Sequence, residues 1–151
     1  MMTLDKRRVM KEVAECREDH DGSGVIAHPL GDSINHFEGT VNGPEDSPYA
    51  GGTFTLDIRL PDQYPFEPPK MKFLTKVWHP NVSSVTGAIC LDILTAKEWS
   101  PAFTIRTTML SVCALLTSPE PDDPQDAEVA AQFKTERAKF DEKARAWTTQ
   151  Y

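Results

Sequence analysis

The sequence predicts an α+β domain: an N-terminal helix, a four-stranded antiparallel meander, an irregular loop carrying the reactive residues, then central and C-terminal helices. Three observations lead there. All 12 prolines lie between Pro29 and Pro124, so both ends of the chain can be helical. Phe54, Leu56, Ile58 and Leu60 alternate with Thr53, Thr55, Asp57 and Arg59, the two-residue period of a half-buried strand. From Asp126 onward Val129, Phe133, Phe140, Ala144, Trp147 and Tyr151 keep helical spacing. A sheet with one apolar face needs helices packed over it.

Each element follows from its own residues. Thr3 caps the first helix with Asp5 in its first turn, and Val9, Val13 and Cys16 line one face, with Met10 and Ala14 beside them. The turn residues Asp19-His20-Asp21-Gly22-Ser23-Gly24 end it. Strands are expected over Val25–Leu30, Ile34–Val41, Thr53–Leu60 and Lys70–Leu74, the last with Met71 and Phe73 inward. Residues 42–52 form a loop, and Tyr64-Pro65-Phe66-Glu67-Pro68-Pro69 is a rigid connector. Short consecutive strands with tight links favour an antiparallel meander. Thr107–Thr117 is apolar nearly all round and is expected to be a buried helix. Ser118–Pro124 holds three prolines and is irregular, and Lys134-Thr135-Glu136 divides the final helical stretch, with Thr135 as the second cap.

The 151 residues suit one domain, 1–151, and nothing in them demands more than a monomer. Hydrophobic content of 39% and charged content of 26% fit a soluble globular protein. A net charge of −7 argues against general binding to nucleic acid or anionic membranes. Lys6, Arg7, Arg8 and Lys11 nevertheless form a local basic cluster, while Glu120, Asp122, Asp123, Asp126 and Glu128 crowd a stretch without basic residues. Cys16, Cys90 and Cys113 show no paired spacing, and the scattered histidines give no zinc pattern. An odd count without a framework reads as reduced intracellular thiols. The N-terminus lacks an apolar signal core, and no apolar run approaches the ~20 residues of a membrane span, so a cytoplasmic or nuclear location is expected.

The chemistry concentrates between His79 and Asp92. A stiffened His79-Pro80-Asn81 turn leads through small polar residues to Cys90. Cys16 and Cys113 fall on apolar helix faces and read as core residues. Cys90, after a glycine-containing loop, is the candidate acyl carrier. His79 is expected to hydrogen-bond within its loop, not to act as a base. Without a base, the thiol stays near the ordinary value of ~8.5, poor for proteolysis but adequate for exchanging one thioester for another. Asn81 reads either as a turn residue alone or as an amide steadying the loop or an oxyanion. Asp123, if its loop folds over Cys90, can orient an incoming lysine and ease its deprotonation.

These residues resemble the catalytic domain of ubiquitin-conjugating enzymes along essentially the whole chain. The resemblance is carried by the connector 64–69, by His79-Pro80-Asn81 and by Gly87-Ala88-Ile89-Cys90-Leu91-Asp92-Ile93-Leu94. Trp99-Ser100-Pro101 and the ending Ala146-Trp147-Thr148-Thr149-Gln150-Tyr151 complete it. The stretches 83–87 and 118–130 look most like the K-type, chain-extending subgroup. The resemblance implies that Cys90 accepts the C-terminal carboxyl of ubiquitin from an activating enzyme. It implies that Asn81 supports isopeptide formation, that Asp123 stands at a lysine gate, and that His79 and Pro80 structure the loop. Arg7, Arg8 and Lys11 would dock the activating enzyme; Phe66, Ser100, Pro101 and Ala102 would contact RING-type or related ligases; Leu110 would touch the donor ubiquitin. No metal or bound organic cofactor is implied, since ATP is consumed upstream by the activating enzyme. Thr95-Ala96-Lys97-Glu98 is one residue longer than the usual pattern, Phe103 replaces a smaller aliphatic residue, and Gln125 replaces a common aliphatic one. The ubiquitin-binding C-terminal domain usual in the K-type is absent from a sequence ending at Tyr151. The rival readings are a carrier of another ubiquitin-like modifier, a non-catalytic ubiquitin-binding adaptor and a cysteine hydrolase.

Overall fold

Two-residue periodicity places Val25, Ala27, Phe37, Val41, Phe54, Leu56, Ile58, Met71 and Phe73 on one sheet face, and all are buried. The computed structural model describes residues 4–19 and 21–151, so the expected Thr3 cap and His20 of the following turn lie outside the described residues. The elements are α1 (Lys6–Cys16), β1 (Val25–Pro29), β2 (His36–Asn42), β3 (Thr53–Arg59), β4 (Lys70–Phe73), a 3-10 turn (Asp92–Leu94), α2 (Ile105–Thr117), α3 (Ala127–Thr135) and α4 (Arg137–Gln150). The strands form one sheet in the order β1-β2-β3-β4, each pair antiparallel. The meander is therefore as expected. The register sets Phe37 opposite Ile58, Val41 opposite Phe54, and Leu56 opposite Phe73.

Helix α2 crosses the buried face. Gly39 of β2 makes the close approach possible, because a Cβ there would collide with Met109 Cε. Thr104 caps α2 in a reciprocal box with Thr107, which starts the helix two residues before the apolar run suggests. The expectation that α2 is buried all round is not met. Ile105, Thr108, Met109, Val112, Leu115 and Leu116 are buried, whereas Leu110, Ser111 and Cys113 are half-buried and Ala114 is exposed. Only one side of α2 meets the sheet, and Ser111, Ala114 and Leu115 line a groove instead. Cys113 is thus no core residue; its thiol lies 3.7 Å from the Asn42 carbonyl. Cys16 is buried as expected.

Two caps also differ. Asp5, not a first-turn residue, is the N-cap of α1, accepting from the Arg8 amide at 3.2 Å. Thr135 closes α3, its hydroxyl donating to the Ala131 carbonyl, so Glu136 makes the break before α4.

Glu12 ties α1 to the 64–69 connector and to the start of α2. Its buried carboxylate accepts from the Tyr64 hydroxyl at 2.7 Å, from the Ile105 amide at 2.7 Å and from Arg8 Nε at 3.0 Å. Arg8 in turn donates to the Phe103 carbonyl at 2.7 Å. Burial, then Glu12, pushes the Tyr64 phenol well above its ordinary value, so it is a donor at any working pH. Glu12→Ala would strand these donors, and an expected loss of about 3–5 kcal/mol follows from opening a buried charged network. Urea unfolding of the two proteins measures it.

Candidate active site

The His79-Pro80-Asn81 turn is packed under the C-terminal end of α2. His79 is fully buried. Its Nε2–H donates to the Leu115 carbonyl at 2.7 Å, while Nδ1 accepts from the Asn81 amide at 2.9 Å. Both ring nitrogens are committed, and burial lowers its pKa to about 4. The His79 ring thus bonds within its own loop through Asn81 and ties that loop to α2 through Leu115. Its protonation destabilises the fold. Stability is full above the unfolded value of 6.5 and falls as pH drops towards about 4, because only the unfolded chain takes the proton; the expected loss is about 3 kcal/mol. Urea midpoints across that window, with ring signals that stay those of the neutral Nε2–H form, check this.

Asn81 is 1% exposed and spans to the loop after α2. Its Nδ2 donates to the Glu120 carbonyl at 3.0 Å and the Asp123 carbonyl at 2.9 Å, and its Oδ1 accepts from the Glu120 amide at 2.8 Å. The Gln125 and Asp126 amides donate to the Pro80 carbonyl at 3.0 and 3.1 Å. These bonds fold the proline-rich segment 118–126 against the turn, which spacing alone could not show. Gln125 needs only its backbone here, and its side chain is exposed.

The chain then doubles back towards Cys90. Gly87 has φ 79°, and a Cβ there would run into the Phe73 carbonyl, so the tight return after β4 requires glycine. The Cys90 amide donates to the Asn81 carbonyl at 2.8 Å. Cys90 is half-buried in an open groove of about 440 Å³, bordered by Asn81, Asp92, Ser111, Ala114 and Asp123. Its thiol departs from the ordinary value expected from sequence: burial pushes it up first, and the carboxylates of Asp123 and Asp92 add to this. The groove thus brings together Cys90, Asn81 and Asp123.

A second group of expected residues forms a separate surface. Arg7, Lys11, Phe66, Pro101 and Ala102 are exposed, and Ser100 is half-buried. The Trp99 indole donates to the Pro65 carbonyl at 2.7 Å, joining the 64–69 connector to the 99–104 loop. Lys11, Pro101 and Ala102 border one shallow depression. Arg8 is half-buried and engaged with Glu12 and Phe103, so its first role is to hold that surface together. Loop 95–98 folds as a turn, with the Glu98 and Trp99 amides both donating to the Thr95 carbonyl. Phe103 packs edge-on to Trp99 at 5.5 Å. Leu110 sits half-buried on the outer flank of α2. Sequence reasoning missed Glu12, Glu120 and Asp126 as partners. Asp126 had a detectable signal as an N-cap before α3, but nothing local pointed to its partner Ser84.

The ubiquitin-conjugating enzyme family model matches residues 8–148. The chain belongs to that family. It is 52% identical over 145 residues to ubiquitin-conjugating enzyme E2 27 of Arabidopsis thaliana, covering 96% of this chain and 75% of that protein. Ubiquitin-conjugating enzyme E2 1 of Schizosaccharomyces pombe is 48% identical over 145 residues, covering 96% of this chain and 66% of its own length. Among solved structures, the E2 domain of a Toxoplasma gondii ubiquitin conjugating enzyme superposes with TM-score 0.89 at 51% identity, over 95% of this chain and 96% of that one. A candidate ubiquitin conjugating enzyme from Plasmodium yoelii gives 0.91 at 47% identity, over 100% of this chain and 97% of its own. The helix–meander–helices order is thus the ubiquitin-conjugating fold, and family membership implies ubiquitin, an activating enzyme and ligases as general partners.

Proposed function

We propose that Cys90 carries ubiquitin as a thioester and passes it to lysine amines of a substrate or of another ubiquitin. The Cys90 thiolate attacks the activating enzyme's thioester carbonyl and that enzyme's cysteine thiolate leaves. A neutral lysine amine then attacks the new carbonyl, the Cys90 thiolate leaves as the carbon–sulfur bond breaks, and the proton shed by the amine nitrogen passes to solvent or to that thiolate. No external oxidant or metal enters either step, and ATP is used upstream. The observation that carries this reading is a solvent-open thiol with no imidazole lining its groove among the described residues: His79 is buried with both nitrogens bonded. A raised thiol pKa makes Cys90 a reluctant leaving group, which favours holding the acyl group until an amine is positioned. It also disfavours the hydrolase reading. Asp123, at the groove rim, orients the incoming lysine; Asn81 holds the loop that bears it.

The exposed residues Arg7, Lys11, Phe66, Pro101 and Ala102, with Ser100 and the Arg8 framework, receive the activating enzyme and RING-type or related ligases. A small apolar patch with a charged rim suits such transient docking. Leu110 contacts the donor ubiquitin from α2. The three free thiols suit work in the cytoplasm or nucleus. A charging assay tests the reading: the protein, ubiquitin, activating enzyme and ATP should give a conjugate one ubiquitin heavier that thiol removes. Conjugation only with another modifier would favour that carrier, and none with any modifier would favour an adaptor.

A further inference from the structure

We propose that Asp126 and Ser84 form a positioning clamp that sets the approach of the acceptor amine to the Cys90 thioester. This rests on the carrier reading above. Asp126 divides its carboxylate between two jobs. Oδ1 accepts from the Val129 amide at 3.2 Å and caps α3. Oδ2 accepts from both the Ser84 hydroxyl, at 2.6 Å, and the Ser84 amide, at 3.0 Å. A short hydroxyl bond to a carboxylate is among the stronger neutral–charged pairs. Burial acts to raise the Asp126 carboxyl, but these donors outweigh it and hold it below its ordinary value.

The clamp joins a rigid element to a loop with little core of its own. Helix α3 is anchored through buried Val129 and Ala130. Ser84 lies in the return leading to Cys90, with Val85 and Thr86 beside it exposed. Asn81 fastens one end of the Asp123 loop to the active-site turn, at Glu120 and Asp123. The Gln125 and Asp126 amides fasten the other end to the Pro80 carbonyl, and the Asp126 carboxylate ties that end to Ser84 across the return. Asp123 is therefore held through its own carbonyl by Asn81 and lies three residues before the Asp126–Ser84 pair, and both ties reach the stretch of chain that leads to Cys90. Releasing the Ser84 bonds leaves the Pro80 carbonyl holding the gate and lets the return that leads to Cys90 shift against it without unfolding either.

Asp126→Asn separates the two jobs. Its amide oxygen can still cap α3, but its NH2 then faces the Ser84 N–H, which cannot accept. Each variant, in the full chain, is charged with ubiquitin, the activating enzyme is quenched, and discharge to free lysine is timed. Expected are charging like the wild type and discharge slowed about 10–30-fold for Asp126→Asn, with about 3-fold for Ser84→Ala, the scale of a small misplacement of reacting groups. Ser84→Thr keeps the hydroxyl and should restore discharge. Hydrogen exchange at the Ser84 amide should quicken in Asp126→Asn. Wild-type discharge with a freed Ser84 amide would overturn the clamp. So would charging and discharge falling in parallel with a lowered melting temperature, or Ser84→Ala and Ser84→Thr behaving alike. A wild-type protein that fails to charge on Cys90 would instead remove the carrier reading, and the clamp with it.

Discussion

Cys90→Ala is expected to abolish thioester formation, a loss of at least about 10³-fold, because Cys90 supplies the thiol of the groove, and a thioester needs a thiol. Gels with and without reducing agent read this directly. Cys90→Ser should give an oxygen ester that survives thiol, which places the bond on that atom. Cys16 is buried and Cys113 lies on the far flank against Asn42, so neither can substitute. The pH profile adds an independent check. The thiolate is the nucleophile, and burial with Asp123 and Asp92 keeps its population small near neutrality. Charging should therefore still be rising between pH 7 and 9, by about tenfold per unit where thiolate limits the rate. Asp123→Asn removes one of the raising charges and should move that rise to lower pH. A charging rate flat above pH 7 would mean an already ionised thiol and a different electrostatic account of the groove.

Asn81→Ala is expected to slow discharge to lysine by about 100-fold, the scale of losing a preorganised amide or misplacing the reacting groups by an ångström. Charging should change much less. The two readings of Asn81 left open by sequence now predict different companions to that loss. Both Nδ2 hydrogens are used on the Glu120 and Asp123 carbonyls, and Oδ1 holds the Glu120 amide. A loop-holding role therefore requires faster hydrogen exchange at Glu120 in the variant, together with greater mobility across 120–126. A large rate loss with unchanged exchange there would assign Asn81 to the oxyanion instead, and would mean that its amide leaves these carbonyls in the reacting complex.

The sheet was legible in the sequence because its signal is local. Alternation at Phe54, Leu56 and Ile58 sets which face is buried, and short turn-rich links leave few ways to pair the strands. His79 was legible for a similar reason, since the proline after it fixes the turn that brings its ring to the Asn81 amide. Cys90, Asn81 and Asp123 were legible as a set through motif resemblance. Boundaries were less so: a cap such as Thr104 or Asp5 extends or trims a helix by bonds that apolar spacing does not record.

What the sequence by itself determined was the order of elements and the inward faces of the strands, set by periodicity and turns, while Cys90, Asn81 and Asp123 came as candidates through motif resemblance. What only the tertiary structure decided was how those residues meet. The Asn81 amide reaching Glu120 and Asp123, Asp126 reaching Ser84, Glu12 gathering Tyr64 and Ile105, and the exposed flank of α2 are all contacts between distant parts of the chain. Their partners are chosen by packing and by the need to satisfy buried polar groups, and no local pattern encodes that choice.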